Sequence, residues 1–162
     1  MRLLSLKENQ SFLEKYLDIA LEYSKELDPE QQGRMQDDAW IKEHRHMLKE
    51  RLYDSNCEIF LFQKDTDCVG FAEVTLEERC FPDEDLPENC MRVYVFYITQ
   101  PFRKQMLGTH FFKLLRAWGR EKRAALVEME VPEWCKDGIE FLEKQGLEVQ
   151  GHGKVELLRA FI

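Results

Sequence analysis

The chain has 162 residues, 44% of them hydrophobic, which is material for one core and too little for two full-sized domains. No apolar run approaches the 18 or more residues of a membrane span, and the apolar part of Met1–Lys7 is too short for a secretory leader, so a cytoplasmic protein with no membrane partner is expected. A net charge of −8 speaks against nucleic acid as a partner, because phosphate backbones demand a basic face.

Leu3 to Leu6 suit a short first strand. After Glu8 the spacing of Leu13, Leu17, Ala20 and Leu21 predicts a helix, ended at Leu27-Asp28-Pro29 because the residue before proline resists the α region. A polar loop through Gly33 leads to a second helix, capped near Asp37-Asp38, with Trp40, Ile41, His44, Met47, Leu48 and Leu52 as its buried side. Glu58–Phe62 and Val69–Leu76 read as strands joined by the polar turn Lys64–Asp67. Glu77 to Asn89, with two prolines and six acids, reads as a hairpin loop.

Met91 to Ile98 is the most strand-like run in the chain. A long helix starts near Leu107 and carries Leu107, Phe111, Leu114, Leu115 and Trp118 on one face. Ala125–Val131 alternates Val127, Met129 and Val131 against Glu128 and Glu130, as a half-buried strand does. A helix from Lys136 to Lys144 ends at Gly146, and Leu147–Val149 and Val155–Phe161 finish the chain as strands around Gly151-His152-Gly153. The expectation is a single α/β domain over residues 1–162, in the order β-α-α-β-β-β-α-β-α-β-β.

Five cysteines cannot all pair, and none lies in a Cys-x-x-Cys, so reduced thiols are expected. His44 and His46 are two apart, about 200° on a helix, and cannot chelate together; they read as solvated helix surface, and no metal is expected. Charge is uneven. Pro101–Arg123 carries seven bases against the single Glu121, a local +6 that leaves −14 on the remainder. Such an island suits a polyanionic cofactor and a cationic second substrate, or is an ordinary solvated helix face.

The junction from strand to helix at Phe102–Thr109 leaves backbone N–H groups unpaired at a helix start, a natural phosphate site to which Arg103 and Lys104 add charge. Two stretches here resemble the GNAT N-acetyltransferase superfamily. Tyr97-Ile98-Thr99-Gln100-Pro101-Phe102-Arg103, followed by Lys104-Gln105-Met106-Leu107-Gly108, is similar to that family's strand end and pyrophosphate loop. Phe141-Leu142-Glu143-Lys144-Gln145-Gly146-Leu147 is similar to its last helix.

The resemblance implies a mixed, mostly antiparallel sheet flanked by helices, and an acetyltransferase that takes acetyl-CoA as cosubstrate and an amine as acceptor. It places the cofactor on Phe96, Tyr97, Ile98, Arg103, Lys104, Gln105, Met106, Leu107, Gly108 and Thr109: amides of Gln105 to Thr109 around the pyrophosphate, and an N–H near Phe96 on the acetyl carbonyl. Homodimers are common in the superfamily. Met106 replaces the usual first loop glycine, a position that tolerates a side chain if its φ is negative. Leu142 stands for the tyrosine that commonly protonates the thiolate, and Cys135 for an asparagine; the expectation is then either slow transfer without a general acid or another donor such as Cys135 or Tyr97. Losing a general acid costs on the order of 10²–10⁴ in rate.

For the base, Glu73 is preferred because an acid within an apolar strand segment needs a reason, with Glu128 and Glu130 next and a solvent-facing strand position as the plain alternative. Tyr94 lies where related enzymes often carry an acid, and relays a proton more readily than it removes one. Gly70–Leu76 resembles a strand of aminoglycoside 6′-N-acetyltransferases, and the acids of Asp28–Asp38 and Glu77–Glu88 would attract a polycation. A non-catalytic acetyl-CoA-binding module is the alternative that Leu142 and the missing acid at position 94 suggest.

Overall fold

The structure, a computed structural model, describes residues 1–27, 37–78, 87, 89–151 and 155–162. Within these the chain runs β1 (Arg2–Ser5), a 3-10 turn (Gln10–Phe12), α1 (Leu13–Leu27), α2 (Asp37–Tyr53), β2 (Cys57–Lys64), β3 (Asp67–Glu78) and β4 (Asn89–Ile98). A second 3-10 turn (Gln100–Phe102) precedes α3 (Leu107–Glu121), β5 (Leu126–Pro132), α4 (Lys136–Lys144), β6 (Glu148–Gly151) and β7 (Val155–Phe161). The order of strands and helices is the one expected. The strands form a mixed, open sheet, β1-β2-β3-β4-β5-β7-β6. β4 and β5 run parallel, whereas β1–β2, β5–β7 and β6–β7 are antiparallel. The acids between residues 28 and 36, those between 79 and 88, Cys80, and the turn residues His152 and Gly153 lie outside the described residues.

Chain contacts group the molecule into two units, with β3 and β4 running through both. The first comprises Met1–Glu73 and Val95–Gly108. Its core is built from Leu6, Tyr16, Leu17, Ile59, Leu61 and Phe71, all at most 1% exposed. Each large apolar side chain so buried contributes roughly 1.5–3 kcal/mol. On α2 only part of the expected stripe is covered: Leu48 is buried, while Met47 is exposed. Helix α2 carries too many charged residues to offer a broad apolar face.

The second unit comprises Val74–Tyr94 and Thr109–Ile162. Helix α3 buries Phe111, Phe112 and Leu115, and it lies close enough to β4 that a β-carbon on Gly119 would stand 3.0 Å from the Met91 sulfur. Phe112 meets Phe141 of α4 edge-on at 6.1 Å. Helix α4 stops as expected at Gly146, whose φ of +85° suits glycine. There Gly146 N–H donates to the Glu143 carbonyl (2.8 Å) and Leu147 N–H to that of Leu142 (3.1 Å), the paired bonds of a Schellman motif.

Candidate active site

The loop between β4 and α3 changes handedness residue by residue. Arg103 has φ −71°, Lys104 +58° and Met106 +62°, and Gln105 and Leu107 are not among the positive-φ residues. Left-handed residues on both sides of Gln105 turn the backbone tightly, and in such turns N–H groups can form a nest suited to an anion. Among the described residues, no main-chain carbonyl outside the helix accepts a bond from the amides of Lys104 to Thr109. The start of α3 adds its own unpaired donors and the positive end of its dipole. The expectation of a negative φ at Met106 is therefore corrected: the methionine sits in the left-handed region, 74% exposed, where its β-carbon meets the next carbonyl at a cost of roughly 1–2 kcal/mol.

Arg103 is engaged inward. Its Nε donates to the Ile98 carbonyl (2.7 Å), its guanidinium pairs with Glu26 (2.7 Å), and it lies 5.1 Å from the centre of the Tyr97 ring. Gln105 donates from Nε2 to the Pro101 carbonyl (2.8 Å), which closes the turn on itself. Lys104 is exposed, Leu107 is buried, and Gly108 and Thr109 are half-buried. Thr109 accepts a bond from Gln145 at 3.3 Å.

Tyr97 is buried, and its hydroxyl donates to Glu26 (2.5 Å) with Glu22 at 3.1 Å. Burial, followed by the bond to Glu26 and the charge of Glu22, holds the phenol well above its ordinary range, which makes Tyr97 a weak acid. The Phe96 ring packs on Phe62, with centres 5.1 Å apart.

Glu73 is not solvent-facing but 5% exposed, and both of its oxygens are taken. Tyr16 of α1 donates to Oε1 at 2.6 Å, and Arg51 of α2 pairs with Oε2. His44 stands behind Tyr16, with Nε2 3.2 Å from the Tyr16 hydroxyl, and its ring stacks on Trp40 at 4.3 Å. His44 is thus half-buried, in keeping with its place on the expected buried side of α2 and not with the solvated-surface reading, and burial lowers its pKa. Burial, followed by the charge of Glu73, pushes the Tyr16 phenol far up. Arg51 stays half-exposed over this buried group. Tyr16, Arg51 and the Tyr16–His44 contact were not legible in the sequence.

In the second unit, β4 pairs with β5 only from Cys90↔Leu126 to Val93↔Met129. Tyr94, half-exposed, comes next and donates to Glu77 at 2.9 Å. Glu128, expected on the solvated side of its strand, is 1% exposed. Arg159 holds it at 2.6 Å, with Arg92 at 3.5 Å, because the register sets Arg92, Glu128 and Arg159 directly opposite one another on three adjacent strands. A carboxylate gripped in this way is a poor base, whereas Glu130 is exposed. Cys135 caps α4 without a side-chain bond and is half-buried, and Leu142 is 2% exposed. Among the described residues no cluster of His, Cys, Asp and Glu could hold a metal ion, and no helix is long and apolar enough to cross a membrane.

The fold recurs in solved structures of low sequence identity. PaiA N-acetyltransferase from Thermoplasma acidophilum, in complex with coenzyme A, matches over 100% of both chains with a TM-score of 0.74 and 16% identity. Aminoglycoside 6′-N-acetyltransferase AAC(6')-Ig from Acinetobacter haemolyticus matches over 94% of both with a TM-score of 0.71 and 10% identity. AAC(6')-Iy in complex with CoA matches over 86% of both, with a TM-score of 0.64 and 15% identity. No curated protein matches the chain significantly by sequence. The family model for GNAT acetyltransferases spans residues 15–147, from α1 through the end of α4, and so takes in both the alternating loop and the strand that carries Glu73. By that match the chain belongs to the acetyltransferase (GNAT) family, as an acyltransferase.

Proposed function

We propose that the chain is a cytoplasmic enzyme, with residues 1–162 acting as one catalytic domain, that transfers the acetyl group of acetyl-CoA to the primary amine of a small, cationic acceptor by direct attack. The observation that carries this is the run of amides from Lys104 to Thr109, from which no main-chain carbonyl of the described residues outside the helix accepts a bond, on a loop with left-handed residues at Lys104 and Met106. Those amides fit a diphosphate, and Lys104 is exposed to add charge. Arg103 contributes by bracing the loop from Glu26 and Ile98. Acetyl-CoA supplies the activated acyl group when bound.

An amine of pKa near 10 must lose a proton before it attacks. Glu73 is the base ahead of Glu128: a single half-exposed arginine, Arg51, pairs with its Oε2, whereas Glu128 is held by both Arg159 and Arg92. Tyr94, bonded to Glu77, relays protons at most. Cys135 is left as the donor to the departing thiolate. Titration calorimetry with coenzyme A, followed by acetylation assays on a panel of amines, tests the proposal; the absence of any heat with coenzyme A would refute it.

A second reading, aminoglycoside 6′-N-acetylation, draws on the Gly70–Leu76 strand, and aminoglycosides in the panel decide it. A non-catalytic acetyl-CoA-binding module draws on Leu142, whose side chain has no proton to give. Binding without turnover on every panel member would favour it.

A further inference from the structure

We propose that Tyr16 and His44 are positioning residues for Glu73, fixing the hydrogen bond on its Oε1 so that Oε2, the oxygen on the Arg51 side, takes the acceptor's proton as Arg51 is displaced. The proposal rests on the reading of Glu73 as the base. Tyr16 has one hydroxyl hydrogen, and the 2.6 Å contact with the carboxylate claims it. The 3.2 Å contact between the same hydroxyl and His44 Nε2 must then use a hydrogen carried by His44. The direction of the chain is thereby set: His44 Nε2–H donates to Tyr16, and Tyr16 donates to Glu73.

A His44 ring bearing its hydrogen on Nδ1 would instead present an Nε2 lone pair and compete with Glu73 for the tyrosine hydrogen. Packing holds both rings in place. His44 lies nearly parallel to Trp40, at 11° and 4.3 Å, and Tyr16 is fully buried with its edge against Phe71 at 5.3 Å. Three segments far apart in sequence, α1, α2 and β3, thus meet on one carboxylate. Burial also disfavours the imidazolium form of His44, which keeps the ring neutral near pH 7.

Steady-state kinetics on an accepted amine test this with Glu73→Gln, Tyr16→Phe, His44→Phe and His44→Gln. Tyr16→Phe keeps the buried ring, and His44→Phe keeps the stack on Trp40. Tyr16→Phe should lower kcat about tenfold, the scale of one hydrogen bond to a charged group, and His44→Phe about fivefold, the scale of a neutral one, with KM for acetyl-CoA unchanged. His44→Gln carries a side-chain N–H of similar reach and should recover most of that loss. In the Glu73→Gln background Tyr16→Phe should have no further effect. If Glu73→Gln itself turns over at the wild-type rate, the base reading and this proposal fall together. If Glu73→Gln is impaired while Tyr16→Phe and His44→Phe are not, this proposal alone falls. Nitrogen-15 NMR of the wild-type imidazole needs no variant to fold: hydrogen on Nε2 is expected, and hydrogen on Nδ1 would overturn the proposal.

Discussion

A β-carbon built on Gly70 would stand 2.0 Å from the carbonyl oxygen of Tyr97, so strands β3 and β4 approach here only because position 70 has no side chain. Thr99 secures the same place, its N–H donating to the Val69 carbonyl at 3.0 Å. Backbone cannot yield as a flexible side chain does. Gly70→Ala is therefore expected to destabilise the protein by about 3 kcal/mol, the upper part of the range for overpacking, as read from urea denaturation midpoints.

Local patterns made most of the fold legible, because strands and helices announce themselves over a few residues. The run Met91–Ile98 and the Gly146 stop needed nothing from elsewhere in the chain. Glu73 could be singled out as an acid among apolar residues, but its partners sit 57 and 22 residues away, on helices that no local spacing ties to β3. Glu128 shows the opposite failure. Period-two alternation assigned it to the solvated side, whereas cross-strand pairing with Arg92 and Arg159 buries it. The handedness of Met106 was hidden because a methionine gives no sign of a positive φ.

Two opposing terms meet at Met106. Glycine there would relieve the left-handed strain of roughly 1–2 kcal/mol, and would lose about 0.5–1 kcal/mol to the greater freedom of the unfolded chain. Met106→Gly should thus leave stability nearly unchanged and preserve coenzyme A binding. Met106→Ile, β-branched in the same conformation, should lose stability and bind coenzyme A more weakly. Chemical denaturation and titration calorimetry read the two effects separately.

Gly108 lies in the first turn of α3, where added negative charge favours the helix dipole and opposes a phosphate. Gly108→Glu should keep its melting temperature within a few degrees of wild type while weakening coenzyme A binding by about 100-fold or more, a loss near 2.7 kcal/mol. A melt by circular dichroism alongside calorimetry checks both halves. Retained affinity in a folded variant would place the diphosphate elsewhere.

Restoring a tyrosine at position 142 would supply a phenol only if the side chain could reach solvent or substrate. Leu142 is 2% exposed, and its carbonyl already serves the α4 stop. Leu142→Tyr is expected to overpack the second unit and cost about 1–3 kcal/mol with no gain in kcat. Faster turnover in a stable variant would show that the site can open toward this residue.

His44 makes stability depend on pH in a predictable direction. Burial is the largest influence on its ring and lowers its folded pKa; Glu73 opposes that shift, Arg51 adds to it, and Glu43 opposes it. The unfolded histidine titrates near 6.5. Below that pH the unfolded chain binds a proton that the folded chain still refuses, so the number bound is greater in the unfolded state and stability rises with pH. The contribution is therefore whole above about pH 6.5 and is lost as pH falls from there through the lower folded pKa. Denaturant midpoints between pH 5 and 8 should drop on the acid side in the wild type. His44→Gln, which cannot titrate, should show a flatter acid side, and an equal slope in both proteins would assign the acid loss to other groups.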